Sequence, residues 1–227
     1  MCYNNLLDIE ARENKAQEGY MRDYSIYEQA SIFYNCVGLS NDIIGILYEL
    51  GHCFHYFLEK DIKPFALQEL PFEVLEVGSI CIEYFGIENI NEYLKKNECK
   101  RIKEDKLGDI IESFCHIAQV DKFQNWIYSN PNQTNQMRRD KWVELSKVYS
   151  YYDIIDLTGY EELIPKYGWQ YYHILHQPFY CIDYAISEIL ALTIWDRYKQ
   201  NPQEGIKYYK HGCSLGALKS VPDIYNA

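Results

Sequence analysis

The stretch "GILYELGHCFHYF", residues 45–57, gathers the side chains best suited to chemistry. On an α-helix, positions 48 and 52 lie one turn apart on the same face, with 49 beside it. An imidazole at His52 can give a nitrogen to a divalent cation, and a carboxylate at Glu49 can take a proton from water bound to that cation. A second imidazole one turn before His52 would complete the pair; that position holds Tyr48. The same residues also fit an amphipathic core helix with one hydrogen-bonded histidine, and this stretch alone leaves both readings open.

A metal site of this type needs a further ligand from a second helix. "PFEVLEVGS" supplies a carboxylate at Glu76, 24 positions after His52. Glu73, one turn earlier on the same face, is placed to support the ligands by hydrogen bonding. His55, one turn past His52, reads as packing or as a similar support. His116 lies in a different segment with no motif around it.

These side chains need rigid elements beneath them. Asn41 or Asp42 can cap a helix running to about Leu58, with Ile43, Ile46, Leu47, Leu50, Phe54 and Phe57 at helical spacing. "FEVLEVGSICIEYF" repeats the helical pattern despite Gly78. Upstream, after a short polar lead-in, "GYMRDYSIYEQASIFYNCVG" alternates loosely and is rich in Tyr, Ile and Phe, which predicts a small β element. Amphipathic segments follow near 89–97, 107–128, 135–150 and 169–199, punctuated by Asn130-Pro131, Gly159 and Asn201-Pro202. The expected fold is mostly α with a small β-sheet, in one domain over residues 1–227.

Composition narrows the function. A formal charge of -11 argues against a nucleic-acid partner, which requires concentrated Lys and Arg. The basic cluster Lys95, Lys96, Lys100, Arg101 and Lys103 is interrupted by Glu98 and reads as a solvated helix end. No apolar run approaches the ~18 residues of a membrane span, and the N-terminus lacks the apolar core of a signal peptide. The 8 Cys include no CxxC pair, which fits free thiols in a reducing cytoplasm. The 23 Tyr offer rings for half-buried, half-wet walls.

The rest of the chain carries a resemblance. "ENKAQEGYM", "YELGHCFHYF", "PFEVLEVGSICIEYF", "VDKFQNWIYSNP" and "HILHQPFYCIDYAISEILAL" occur in an order and spacing similar to those of the oligoendopeptidase F group of thimet-like zinc oligopeptidases. The resemblance implies a zincin-like catalytic region that uses zinc to hydrolyse short peptides. It implies Glu49 as general base, His52 and Glu76 as zinc ligands, and Tyr48 in the place of the remaining ligand. It further implies His173, Tyr180 and Tyr184 as the groups that hydrogen-bond substrate and developing oxyanion.

The departures from that pattern bear on activity. Structural zinc sites bind with roughly 10–16 kcal/mol over four ligands, so one ligand is worth on the order of 3–4 kcal/mol. Tyr48 could replace it only as a phenolate, at a cost of about 4 kcal/mol near pH 7. Relatives resembling this chain have a Pro-Gly-Gly turn where Gln17-Glu18-Gly19 stands, a His or similar residue at Gly78, and Gly at Cys213. Glu18 and Cys213 are expected to crowd a substrate backbone. The resemblance also implies a helical N-terminal region, forming the far wall of a substrate channel, that this chain lacks. The sequence therefore suggests a zinc-poor pseudopeptidase or peptide-binding module. The alternatives are an active enzyme with a modified site, or the C-terminal half of a split peptidase needing a partner chain or self-association to cover exposed apolar surface.

Overall fold

The structure is a computed structural model that describes residues 5–16, 19–150, 154–160 and 163–226. Among the described residues three strands come first: β1 (Leu7–Glu10), β2 (Tyr20–Tyr24) and β3 (Gln29–Cys36). Nine helices follow among the described residues: α1 (Ser40–Glu59), α2 (Phe72–Asn89), α3 (Lys96–Ser129), α4 (Asn135–Tyr149), α5 (Leu163–Tyr167), α6 (Tyr172–Leu175), α7 (Cys181–Gln200), α8 (Pro202–Cys213) and α9 (Val221–Tyr225). The mostly helical fold with a small sheet is as expected. No described helix is long and apolar enough to cross a membrane.

The sequence reads as one domain, while the contacts gather in two compact units. The first is Met1–Lys103 with Ile186–Ala227; the second is Glu104–Ala185.

In the first unit β3 is the central strand, parallel to β1 and antiparallel to β2, with Met21 opposite Ile32. The strand β1 lies in what reads as a polar lead-in: "LDIE" has only four residues, two of them charged, too few to show a period. The sheet packs on α1 through Ala30, Ile32, Cys53 and Tyr56. Helix α1 has the expected length, but Asp42 acts from the third helical position rather than as N-cap. Its carboxylate accepts from the backbone N–H groups of Val37, Gly38 and Leu39 at 2.7–2.9 Å. The expected apolar stripe is also corrected: Phe54 and Phe57 are exposed, and the buried positions are Glu49, Gly51, Cys53, His55, Tyr56 and Glu59. Gly51 brings α1 onto α2, since a Cβ there would stand 2.7 Å from the Gly78 carbonyl oxygen.

The second unit is built around Phe123, fully buried against Trp142 and Trp169 at ring distances of 5.1 and 5.8 Å. Thr134 caps α4 by accepting from the Met137 N–H. The single helical segment expected over 169–199 is broken. Helix α6 ends at Leu175 and α7 starts at Cys181, with Pro178 between them and Phe179 at φ +66°. A proline disfavours helical backbone at the residue before it, and a bulky residue at positive φ marks a sharp turn.

Candidate active site

In the first unit, α1 and α2 bring Tyr48, His52 and Glu76 together. The Tyr48 hydroxyl donates to Glu76 Oε2. His52 Nε2 lies 3.7 Å from the same oxygen. The Tyr48 and His52 rings meet edge to face, with centroids 4.9 Å apart. Ser79 Oγ approaches Glu76 Oε2 at 3.4 Å, while its shorter bond of 2.8 Å goes to the Glu76 backbone carbonyl. Glu76 is only 3% exposed, so its carboxylate depends on these neighbours for polar contacts.

Glu49, also buried, faces the sheet. Burial is the main cause that raises its carboxyl to about 7, the negative charge of Glu76 adds to it, and the Met21 N–H opposes it. A carboxyl titrating there is suited to accept a proton near neutral pH. Burial lowers His52 to about 4, which keeps the imidazole neutral, the form that can ligate a metal.

Can these residues hold zinc? A tetrahedral zinc with ligand bonds of about 2.1 Å places two ligand atoms roughly 3.4 Å apart. The 3.7 Å between His52 Nε2 and Glu76 Oε2 is close to that. The obstacle is Tyr48: its hydroxyl already lies on Glu76 Oε2 and gives a proton to the lone pair a cation would need. Among the described residues no three His, Cys, Asp or Glu side chains are grouped to hold a metal ion. The set present, one imidazole, one carboxylate and one protonated phenol, does not fit a stable zinc site.

Glu73 and His55 are the two residues expected to support the ligands. Glu73 is fixed through its backbone carbonyl, which accepts from Ser187 Oγ at 2.8 Å and the Tyr225 hydroxyl at 2.6 Å. His55 turns toward Glu59, with Nε2 3.7 Å from Oε2. Gly78 makes room for it, because a Cβ there would lie 2.8 Å from His55 Nδ1. The glycine thus has a packing reason of its own. Cys213 is not in a loop: it ends α8 with its side chain buried, which corrects the expectation that it crowds a substrate. Gln17 and Glu18 lie outside the described residues.

His173, Tyr180 and Tyr184 belong to the second unit and are described by themselves. They form one aromatic cluster. The His173 ring stacks on Tyr180 at 5.6 Å and meets the Tyr184 edge at 5.8 Å, and the two tyrosine rings are 4.9 Å apart. Gln124 Nε2 reaches the His173 carbonyl at 3.5 Å. The break between α6 and α7 is what lets Tyr180 and Tyr184 close on His173. His116, set aside in the sequence, packs edge-on against Tyr171 at 5.6 Å.

Sequence reasoning missed two participants. The Met21 N–H contacts Glu49 from β2; it closes the segment "ENKAQEGYM", in which nothing marked it for that contact. Tyr34 lies against Gly19, where a Cβ would stand 2.8 Å from Tyr34 Cε2, and it raises no motif signal either.

Comparison with known proteins places this geometry. Peptidase family M3 matches residues 1–227. An oligoendopeptidase F homolog of Borreliella burgdorferi (strain ATCC 35210 / DSM 4680 / CIP 102532 / B31) is 24% identical over 192 residues, 82% of this chain and 31% of that protein. The solved structure of PZ peptidase A with inhibitor 2 is 27% identical, with a TM-score of 0.87 over 100% of this chain and 40% of that one. The chain thus spans about a third of the length of the curated relative it matches. With the family matched along its whole length and the helical fold shared, the chain belongs to peptidase family M3.

Proposed function

We propose that this chain is a peptide-binding member of its family that does not hold zinc stably and so does not hydrolyse peptides through a metal. The observation that carries the reading is the Tyr48 hydroxyl on Glu76 Oε2, in the place of the missing ligand. Peptide binding is supported by the strand order, which leaves β2 at a sheet edge beside Glu49. An extended peptide can add to such an edge through main-chain hydrogen bonds.

Exposed Phe54, Phe65 and Phe72 in the first unit support a covering polypeptide: a separate N-terminal-type chain, a second copy, or more of the same protein. The free thiols of the described cysteines suit a reducing cytoplasm. A library of short peptides, read by mass spectrometry after incubation and after pull-down, tests the function. Retention of intact peptides is the expected result. Cleavage abolished both by a chelator and by Glu49→Gln overturns it.

A second reading, an active metallopeptidase with a modified site, is favoured by one observation: Glu49 titrates at about 7, where a general base works. In that reading zinc supplies a polarised carbonyl and bound water when present, His52 and Glu76 would hold it, and Glu49 would accept a proton at its carboxylate. The same cleavage assay separates the two.

A further inference from the structure

The strands β1 and β2 form the two edges of the sheet, and they are not equivalent. Strand β1 loses register between Asp8 and Glu10, and the Lys15 ammonium donates to the backbone carbonyls of both residues, at 2.9 and 3.0 Å, so this edge is blunted. Strand β2 pairs with β3 in unbroken register from Tyr20 to Tyr24, and all of its residues except Met21 are exposed. An extended chain can add to β2 in regular register.

Side chains along that edge alternate in direction. Met21 packs with Ala30 and Ile32 on the face that meets α1. Tyr20, Arg22 and Tyr24 stand on the other face, opposite Phe33, Ser31 and Gln29, and all six line an open cleft of about 410 Å³. The Tyr20 ring stacks on Phe33 with centroids 5.0 Å apart, and the Tyr24 hydroxyl accepts from Ser31 Oγ at 3.3 Å, so cross-strand contacts hold both rings.

Two charged side chains line the cleft, Asp8 and Arg22. Asp8 is already bonded by Arg12 and Lys15 at 2.5–3.0 Å. Arg22 is exposed and has no ion pair among the described residues. The cleft thus presents one uncompensated guanidinium between two held tyrosine rings, each ~6.6 Å away along the strand. A strand added to β2 sets its own residues opposite these three on the same face, close enough to touch. Opposite charges across such a pair are favourable, and like charges are not.

We propose that the peptide bound at the β2 edge carries an Asp or Glu that meets Arg22, with aromatic or aliphatic residues two places before and two places after it resting on Tyr20 and Tyr24. The inference rests on the peptide-binding reading above and adds a sequence preference to it. The whole-chain charge of -11 opposes that preference, because the long-range field favours a basic peptide. A preference for an acidic one comes from a local contact.

The test is fluorescence anisotropy on the full chain at physiological salt, with a chelator present so that binding is read without hydrolysis. The probes are dye-labelled peptides with blocked termini, Phe-Thr-Xaa-Thr-Phe, in which Xaa is Glu, Gln or Lys. Saturable binding is expected, with the Glu peptide about 3–5-fold tighter than the Gln peptide and the Lys peptide weakest. Arg22→Glu, at an exposed position, should reverse the order and make the Lys peptide the tightest. Tyr24→Ser should weaken all three and keep the order. Equal affinity for the three, or an order that survives Arg22→Glu, overturns the acidic preference and leaves peptide binding standing. Absence of saturable binding by all three overturns the proposal, and the same absence across the peptide library overturns the reading beneath it.

Discussion

Replacing Tyr48 with Phe removes one hydroxyl and keeps the ring, so it isolates the contact on which the account rests. The ring's edge-to-face packing on His52, at 4.9 Å, should survive. What is lost is a hydrogen bond to a carboxylate that is 3% exposed. A bond to a charged group contributes roughly 1.5–3 kcal/mol, and a buried oxygen left short of donors carries a desolvation cost. Ser79 Oγ, 3.4 Å away, can compensate in part. The expected loss is therefore about 2 kcal/mol, read by urea unfolding as a lower midpoint with unchanged slope. Glu76→Gln should be coupled to it: the double variant should lie about 1–2 kcal/mol from additivity. A loss under ~0.5 kcal/mol together with additive behaviour would refute the hydrogen bond, and with it the reason for excluding zinc.

Further outcomes follow from the packing and the ionisable groups. Gly51→Ala should destabilise by about 2 kcal/mol or more, because the new Cβ meets backbone atoms of α2, whereas Gly108→Ala, in open space on α3, should stabilise by ~0.5–1 kcal/mol; both are read by denaturation. Burial raises Glu59 to about 8, so between the ordinary carboxyl value of 4.5 and 8 the folded chain binds the extra proton and stability falls as pH rises. Glu59→Gln should remove that dependence and stabilise the protein at pH 8 by about 2 kcal/mol, after discounting the full shift for solvent screening, with the gain vanishing near pH 4.5. Thermal melts across that range measure it, and a gain that grows toward acid pH would reverse the sign and contradict the reasoning.

The approximate extent of α1 and the start of α2 were legible because periodicity acts within a single element, whereas the cap of α1 and the last turn of α2, which runs on to Asn89, were not. The burial of α1 was not. Ile43, Leu47, Leu50, Phe54 and Phe57 define an apolar stripe, yet Glu49, His55 and Glu59 are the ones removed from water. A pattern places charged residues outside by default, and only tertiary packing can override that. The same holds for Tyr48: its spacing from His52 was readable, but its hydroxyl meeting Glu76 depends on Gly51 letting two helices approach. The break before Tyr180 had a signal in Pro178, which the helical pattern on either side outweighed.

The central claim is that Tyr48 keeps zinc from being held. It is tested most directly by zinc content, measured by elemental analysis after purification without chelator, on the unaltered chain and Tyr48→His side by side. The account predicts far less than one zinc per chain for the first and about one for the second, since a restored ligand is worth on the order of 3–4 kcal/mol. About one zinc per chain on the unaltered protein would contradict it.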